Sequence, residues 1–195
     1  MRTFHPSTPG RLAGVAGFAL MEIVVAASIL SILAATLAVR AGAMIDTAGV
    51  TRVVDLVGSL ETACAAYHAD VGELPYEYSG YSATHRKLSG LQSADGWSGP
   101  YLEQPLTHGL NPHGGSLHLY SGVTTNGWVS GFDTDGDGAD DVTAEGNMLY
   151  LTEVTANSAK AIDRNLDADI GGSWSASGRV RYDAQKKRLL ILVYH

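Results

Sequence analysis

Gly17 to Val39 reads GFALMEIVVAASILSILAATLAV. From Phe18 onward these 22 residues carry one charge, Glu22. A helix rises about 1.5 Å per residue, so a run of this length spans the ~30 Å hydrocarbon core of a bilayer. The residues ahead of it, MRTFHPSTPGRLAGVAG, contain Arg2, His5 and Arg11, no acid, and a Pro/Gly/Ser/Thr-rich middle. A secretory signal peptide has a shorter apolar core, about 7–15 residues, and is cut after it at small residues. Here the run is longer and Gly17 precedes it. A signal anchor accounts for the length and the positive flank. It does not account for a carboxylate early in the apolar run, because a charge at membrane depth is costly and by default marks a functional group with a partner.

Beyond Arg40, which marks the membrane edge, Val50, Val53, Val57, Leu60, Cys64 and Tyr67 recur at alternating spacings of three and four. That is one apolar stripe on a continuing helix, widened by Val54 and Leu56 for packing on a sheet. Asp46, Arg52, Asp55 and Glu61 fall between the stripe positions. Gly42, Gly49 and Gly58 each disfavour helix by about 1 kcal/mol relative to alanine and mark places for a bend or a close neighbour. Gly72 and Pro75 end the helix near Asp70. The expected helix is about 50 residues, roughly 75 Å long.

Gly17-Phe18-x-x-x-Glu22 resembles the class III leader of type IV pilins and type II secretion pseudopilins. The resemblance implies that a membrane prepilin peptidase cuts after Gly17, that Phe18 becomes the methylated N-terminus, and that Glu22 serves in assembly. The segment Val53–Pro75, VVDLVGSLETACAAYHADVGELP, is similar to the helix end of major pseudopilins. Gly96-Trp97-Ser98-Gly99-Pro100-Tyr101-Leu102 looks like their Gly-Trp-x-Gly-Pro-Tyr segment, and Asn111-Pro112-His113-Gly114 sits where they have Asp-Pro-Trp-Gly. The resemblance fades after about Tyr120. It departs at Val39, where pilins often carry a proline, so a helix break tied to that proline is not carried over.

These readings set an α+β fold of pilin type: a long N-terminal membrane-spanning helix packed on a C-terminal antiparallel sheet. Residues 1–17 are the expected leader, 18–39 the transmembrane half of the helix, 40–72 its amphipathic half, and 73–195 the globular domain. Tyr76 to Pro112 is a long connector, functional or loosely ordered by its length. In the family it is the loop between helix and sheet, with Trp97 and Tyr101 as its apolar anchors here. Ser116–Ser121, Trp128–Phe132 and Met148–Val154 read as strands. Ala159–Leu166 can form a short helix. Gly178–Asp183 and Arg188–Tyr194 read as a hairpin, and the run Leu189–Val193 places its second strand centrally.

Asp133-Thr134-Asp135-Gly136-Asp137-Gly138-Ala139-Asp140-Asp141 is the strongest ligand constellation. Asp133, Asp135, Asp137 and Asp141 stand at positions 1, 3, 5 and 9 of a DxDxDGxxD calcium loop, with Gly138 at 6 and Ala139 offering a carbonyl at 7. Ca²⁺ takes six to eight hard oxygens at about 2.4 Å. Ala144 stands where an EF-hand needs its bidentate acid, and the flanks read as strands, so an EF-hand is rejected. The alternative is a solvated acidic turn, which Asp and Gly favour on their own. Major pseudopilins hold Ca²⁺ in a loop near the C-terminus, but with another spacing, so none of their ligands is carried over. Asp163, Asp167 and Asp169 form a second acidic group, which reads as a solvated helix face. His108, His113 and His118, five apart, match no ligand spacing and read as surface or loop residues.

The 195 residues suffice for one modest domain plus the anchor. Net charge is −7; loss of Arg2 and Arg11 with the leader takes it to −9. That balance argues against a phosphate-binding surface, so no nucleic-acid partner is expected. Cys64 is the sole cysteine, which rules out an intramolecular disulfide, and its apolar helix face makes it a core residue. No nucleophile-base pair or phosphate loop is evident, and catalysis is not expected. The resemblance implies a structural subunit of a pilus-like filament, first of all a type II secretion pseudopilin acting in export across the outer membrane. It would sit in the bacterial inner membrane with its C-terminal domain in the periplasm. Its partners would be further copies of itself, the peptidase and an inner-membrane assembly platform. A surface type IV pilin for adhesion or DNA uptake, and a calcium-binding membrane-anchored protein that does not polymerise, are the alternatives.

Overall fold

The helix expected from the apolar run and the stripe is α1, Val15–Val71, unbroken over 57 residues. A computed structural model describes residues 15–80, 82–125, 127–168 and 170–195, and their side chains except at 15–19, 38–45 and 83. Two compact units divide the chain between residues 45 and 46, inside α1. Of the expected leader, residues 1–14 lie outside the described residues. Gly17 and Phe18 fall in the first turn of α1, their side chains likewise outside.

In the first unit, Leu20–Leu37 is long and apolar enough to cross a membrane, and its large apolar side chains are exposed. Its hydroxyls are satisfied within the helix. Ser28 donates to the Val24 carbonyl at 2.7 Å, Ser31 to that of Ala27 at 2.7 Å, and Thr36 to that of Leu33 at 2.9 Å. Such back-bonding leaves no unpaired donor toward an apolar surround.

In the second unit, Val50, Val53, Val57, Leu60, Cys64 and Tyr67 are all buried, as the three-and-four spacing requires. Ala63 joins them. The helix ends where Gly72 adopts φ 79° and donates to the His68 carbonyl at 2.8 Å, a left-handed conformation that glycine takes without a Cβ penalty. Of the helix glycines in this unit, Gly49 meets a neighbour: a Cβ there would touch Pro112 at 3.4 Å, whereas Gly58 faces open space.

The stripe packs on one face of a five-stranded antiparallel sheet made of β1 (Glu77–Tyr78), β2 (Leu117–Gly122), β3 (Glu145–Leu151), β4 (Val180–Asp183) and β5 (Arg188–Tyr194). The order is β1-β2-β3-β5-β4. β5 therefore lies between β3 and β4, and Leu189–Val193 are buried on both faces. Leu117, Leu119, Leu149, Leu151, Leu189, Ile191 and Val193 face the α1 core. That core also takes Ala159 and Ile162 from α2 (Ala156–Leu166), which Thr155 caps by accepting from the Ser158 N–H. Met148, Leu190 and Leu192 point the other way into a smaller core with Val123, Phe132 and Val142.

Three expectations change. Trp128–Phe132 is no strand; only Phe132 pairs, in an isolated bridge with Val142, and the segment folds over the far face of the sheet. β3 starts three residues early and stops at Leu151, because Glu153 takes φ 62° and turns Val154 into the core. The connector contributes β1, which two residues could not announce by alternation.

The connector is held at specific points. The buried Glu77 carboxylate accepts from the Leu88 N–H at 3.0 Å and from the Ser89 hydroxyl. Leu88 and Leu106 are fully buried, while Trp97 and Tyr101 pack partly buried on the same core. Tyr101 donates its hydroxyl to Asp70 at 2.8 Å, as does Ser98. These bonds, Ser98 first, hold the Asp70 carboxyl below its usual range. Gly96, at φ 81°, sits so close to α1 that a Cβ would fall 2.1 Å from the Asp70 carbonyl oxygen. The resembling Gly-Trp-x-Gly-Pro-Tyr segment thus has a local role here, clamping the C-terminal end of α1.

Asn111, buried, donates from Nδ2 to the Ser116 and Thr152 carbonyls, both at 3.0 Å, and accepts from the His113 N–H at 3.0 Å. Asn111→Asp keeps the shape and removes both donors, so two carbonyls would face a carboxylate. A loss of about 3 kcal/mol is expected, read as a fall in melting temperature; an unchanged value would mean that the amide carries no load.

Candidate functional site

The aspartate loop is the excursion between β2 and β3. Its ends are closed by Phe132 and Val142: each N–H donates to the other's carbonyl, at 3.0 and 3.1 Å. The flanks are extended rather than helical, which bears out the rejection of an EF-hand. Between them the backbone reverses twice, at Gly136 (φ 81°) and Gly138 (φ 94°).

The loop brings together Asp133, Asp135 and Asp141, whose carboxylate oxygens lie within 4.8 Å of one another. Asp133 is buried; the other two are exposed. Asp133 accepts from the Gly136 N–H at 2.7 Å and the Gly138 N–H at 3.1 Å, which fixes its carboxylate. Asp141 accepts from the Thr134 hydroxyl at 2.8 Å and N–H at 2.7 Å. Those bonds, the hydroxyl's first, hold its carboxyl below the usual range and keep it ionised. Each Asp133 oxygen accepts one of these bonds and retains a second lone pair for a cation, whereas both Thr134 bonds fall on Asp141 Oδ2. Asp137 stays outside the trio and accepts instead from the Ala139 N–H at 2.8 Å. Ala139 is exposed. Asp140, at position 8, is turned to the sheet: it accepts from Ser130 at 2.6 Å and pairs with Arg181 at 3.3 Å. Three hard oxygens at this separation suit a divalent cation of the calcium type.

The loop leans on the segment after α2. The Asp133 carbonyl accepts from the Gly178 N–H at 2.6 Å, and a Cβ on Gly136 would lie 2.6 Å from the Gly171 carbonyl oxygen. Here the reading of the second acidic group needs correction. Asp163 and Asp167 are not solvated: they are 8% and 7% exposed. The segment 170–178 folds over them, which no helical periodicity could reveal. Asp169 lies outside the described residues. Burial first, then the neighbouring Asp167, pushes the Asp163 carboxyl up to about 6.

The remaining singled-out residues are Cys64 and three histidines, and of the histidines read as surface or loop residues His108 alone is exposed. Cys64 is buried, and burial pushes its thiol up to about 12, which leaves it no thiolate for nucleophilic chemistry. His118 lies in β2, half-buried, with its ring 6.0 Å from that of the exposed His108. His113 is half-buried beside Gly49.

Glu22 lies within the apolar span and is exposed; among the described residues no ion pair reaches it. No protein-family model, curated protein or solved structure matches this chain.

Proposed function

We propose that the chain is a pilin-like subunit of a filament, of the type II secretion pseudopilin kind, held in the bacterial inner membrane before assembly. The observation that carries this reading is α1 itself. One helix, Val15–Val71, contains the Gly17-Phe18-x-x-x-Glu22 sequence, an exposed apolar span, and a stripe buried on an antiparallel sheet. An exposed apolar span with one carboxylate needs lipid around it and a positive partner for the charge. A second subunit with a free N-terminal amine supplies that partner. Mass spectrometry of the N-terminus tests the reading. The expected species begins at methylated Phe18; a chain that keeps residues 1–17 in a host with the peptidase would overturn it.

The aspartate loop is read as a calcium site that stiffens the far face of the sheet, with Asp133, Asp135 and Asp141 as its side-chain ligands. A ligand that binds only the folded chain stabilises it by mass action. The melting temperature of the full chain in detergent is expected to rise by roughly 5–10 °C at a hundredfold excess of Ca²⁺ over Kd. Mg²⁺ should substitute poorly, since it demands a tighter octahedron. Asp135→Asn should lose the part of the shift that belongs to this loop. Equal melting of wild type and Asp135→Asn in millimolar Ca²⁺ and in chelator would leave the loop an acidic turn.

A further inference from the structure

Asp163 lies in the last turn of α2 and Asp167 is its C-terminal cap. A helix C-terminus carries partial negative charge and unpaired carbonyls, so it attracts cations and disfavours acids. Two carboxylates more than nine-tenths buried at that end are therefore an electrostatic liability. They line a pocket of about 120 Å³ whose wall also includes Arg164, Gly171, Gly172, Ser173, Trp174 and Ser177.

The cations nearby form no ion pair with either acid among the described residues. Arg179 gives Asp167 only its backbone N–H, at 2.7 Å to Oδ2. Its guanidinium is bonded to the Leu192 and Val193 carbonyls and to Glu61. Arg181 is paired with Asp140 and lies over the Phe132 ring. Lys160 and Arg164, on α2 itself, are exposed, and no salt bridge joins them to either acid among the described residues. Among the described residues, Asp167 Oδ1 is buried and has no hydrogen-bond partner. A buried carboxylate oxygen without a partner is rare in native proteins.

We propose that Asp163 and Asp167, with oxygens of the segment Gly171–Ser177, form a second site for a hard divalent cation of the calcium class. The donors are all oxygen: two carboxylates, the hydroxyls of Ser173 and Ser177, and the carbonyls of a glycine-bearing turn. Among the described residues no His or Cys lines the pocket. That set suits Ca²⁺, which accepts irregular oxygen coordination, over Zn²⁺ or Cu²⁺. Gly178 permits the arrangement, since a Cβ there would lie 2.4 Å from Asp167 Oδ2. The inference stands independently of the filament reading and of the aspartate loop.

The test uses the full chain in detergent with Asp135→Asn as background, so that the aspartate loop does not contribute. Tb³⁺ is the probe, excited through indole, because Trp174 lines the pocket. Sensitised Tb³⁺ emission displaced by Ca²⁺ is expected, and Trp174→Phe should lose most of the emission while equilibrium dialysis still finds the Ca²⁺. Asp163→Asn and Asp167→Asn should each weaken Ca²⁺ binding on the order of tenfold or more. Melting gives an independent sign. In chelator Asp163→Asn should melt at or above its background, because a buried charge is removed; in millimolar Ca²⁺ the order should reverse. Ca²⁺ binding unchanged by both Asn substitutions would overturn the site. So would an Asp163→Asn variant that melts lower by the same amount in chelator and in Ca²⁺. A background that is stabilised by acid but indifferent to Ca²⁺ would assign the pocket to a proton and overturn it as well.

Discussion

Gly17→Val is expected to leave the full-length chain in the membrane, uncut. A peptidase that seats the backbone closely at this position has no room for a branched side chain, and glycine alone offers none. The bond after Gly17 lies in the first turn of α1, where the leading N–H groups have no carbonyl partner within the helix and unwinding costs little. Valine does not disfavour the helix relative to glycine, so insertion and folding of the remainder should be intact. The readout is a product 17 residues too long, with the processed species reduced on the order of a hundredfold or more. Mature protein of normal mass from this variant would remove the leader and, with it, the main support for the filament reading.

Glu22→Val is expected to insert and be cut normally, and to fail in assembly. The span around Glu22 has no other charge, and the carboxylate has no ion-pair partner among the described residues. In hydrocarbon its attraction to the freed amine of Phe18 on a neighbouring copy would be screened far less than in water. Valine makes the span more apolar, so the monomer should be held at least as firmly in the bilayer. The drop in polymer should be on the order of a hundredfold or more, measured by sedimentation of sheared filaments against total chain. Glu22→Asp should retain part of the assembly, since it keeps the charge on a shorter arm. Filaments at wild-type level from Glu22→Val would make the pairing wrong while leaving the leader untouched, so the two variants test separate steps.

The amino-acid sequence by itself determined what depends on neighbours along the chain. Spacings of three and four from Val50 to Tyr67 define a buried helical face because 3.6 residues make a turn. Leu189–Val193 is central because five consecutive apolar residues in a strand must be covered on both faces. The rejection of helical flanks at the aspartate loop came from local pattern too. Only the tertiary structure decided what distant segments cover. Trp128–Phe132 reads as a strand because it is short and apolar, but Phe132 is buried, and Trp128 and Val129 partly so, against the far face of the sheet, as a lid rather than as a ladder. Asp137 matched a ligand spacing, yet the left-handed turns at Gly136 and Gly138 gather Asp133, Asp135 and Asp141 and leave it out. Asp163 and Asp167 read as solvated because they share one polar helix face. Their burial is imposed by residues 170–178, a segment whose path is set by its contacts with the Asp133 loop and not by its own periodicity. Periodicity reports which face a side chain occupies; whether water reaches that face depends on what folds over it.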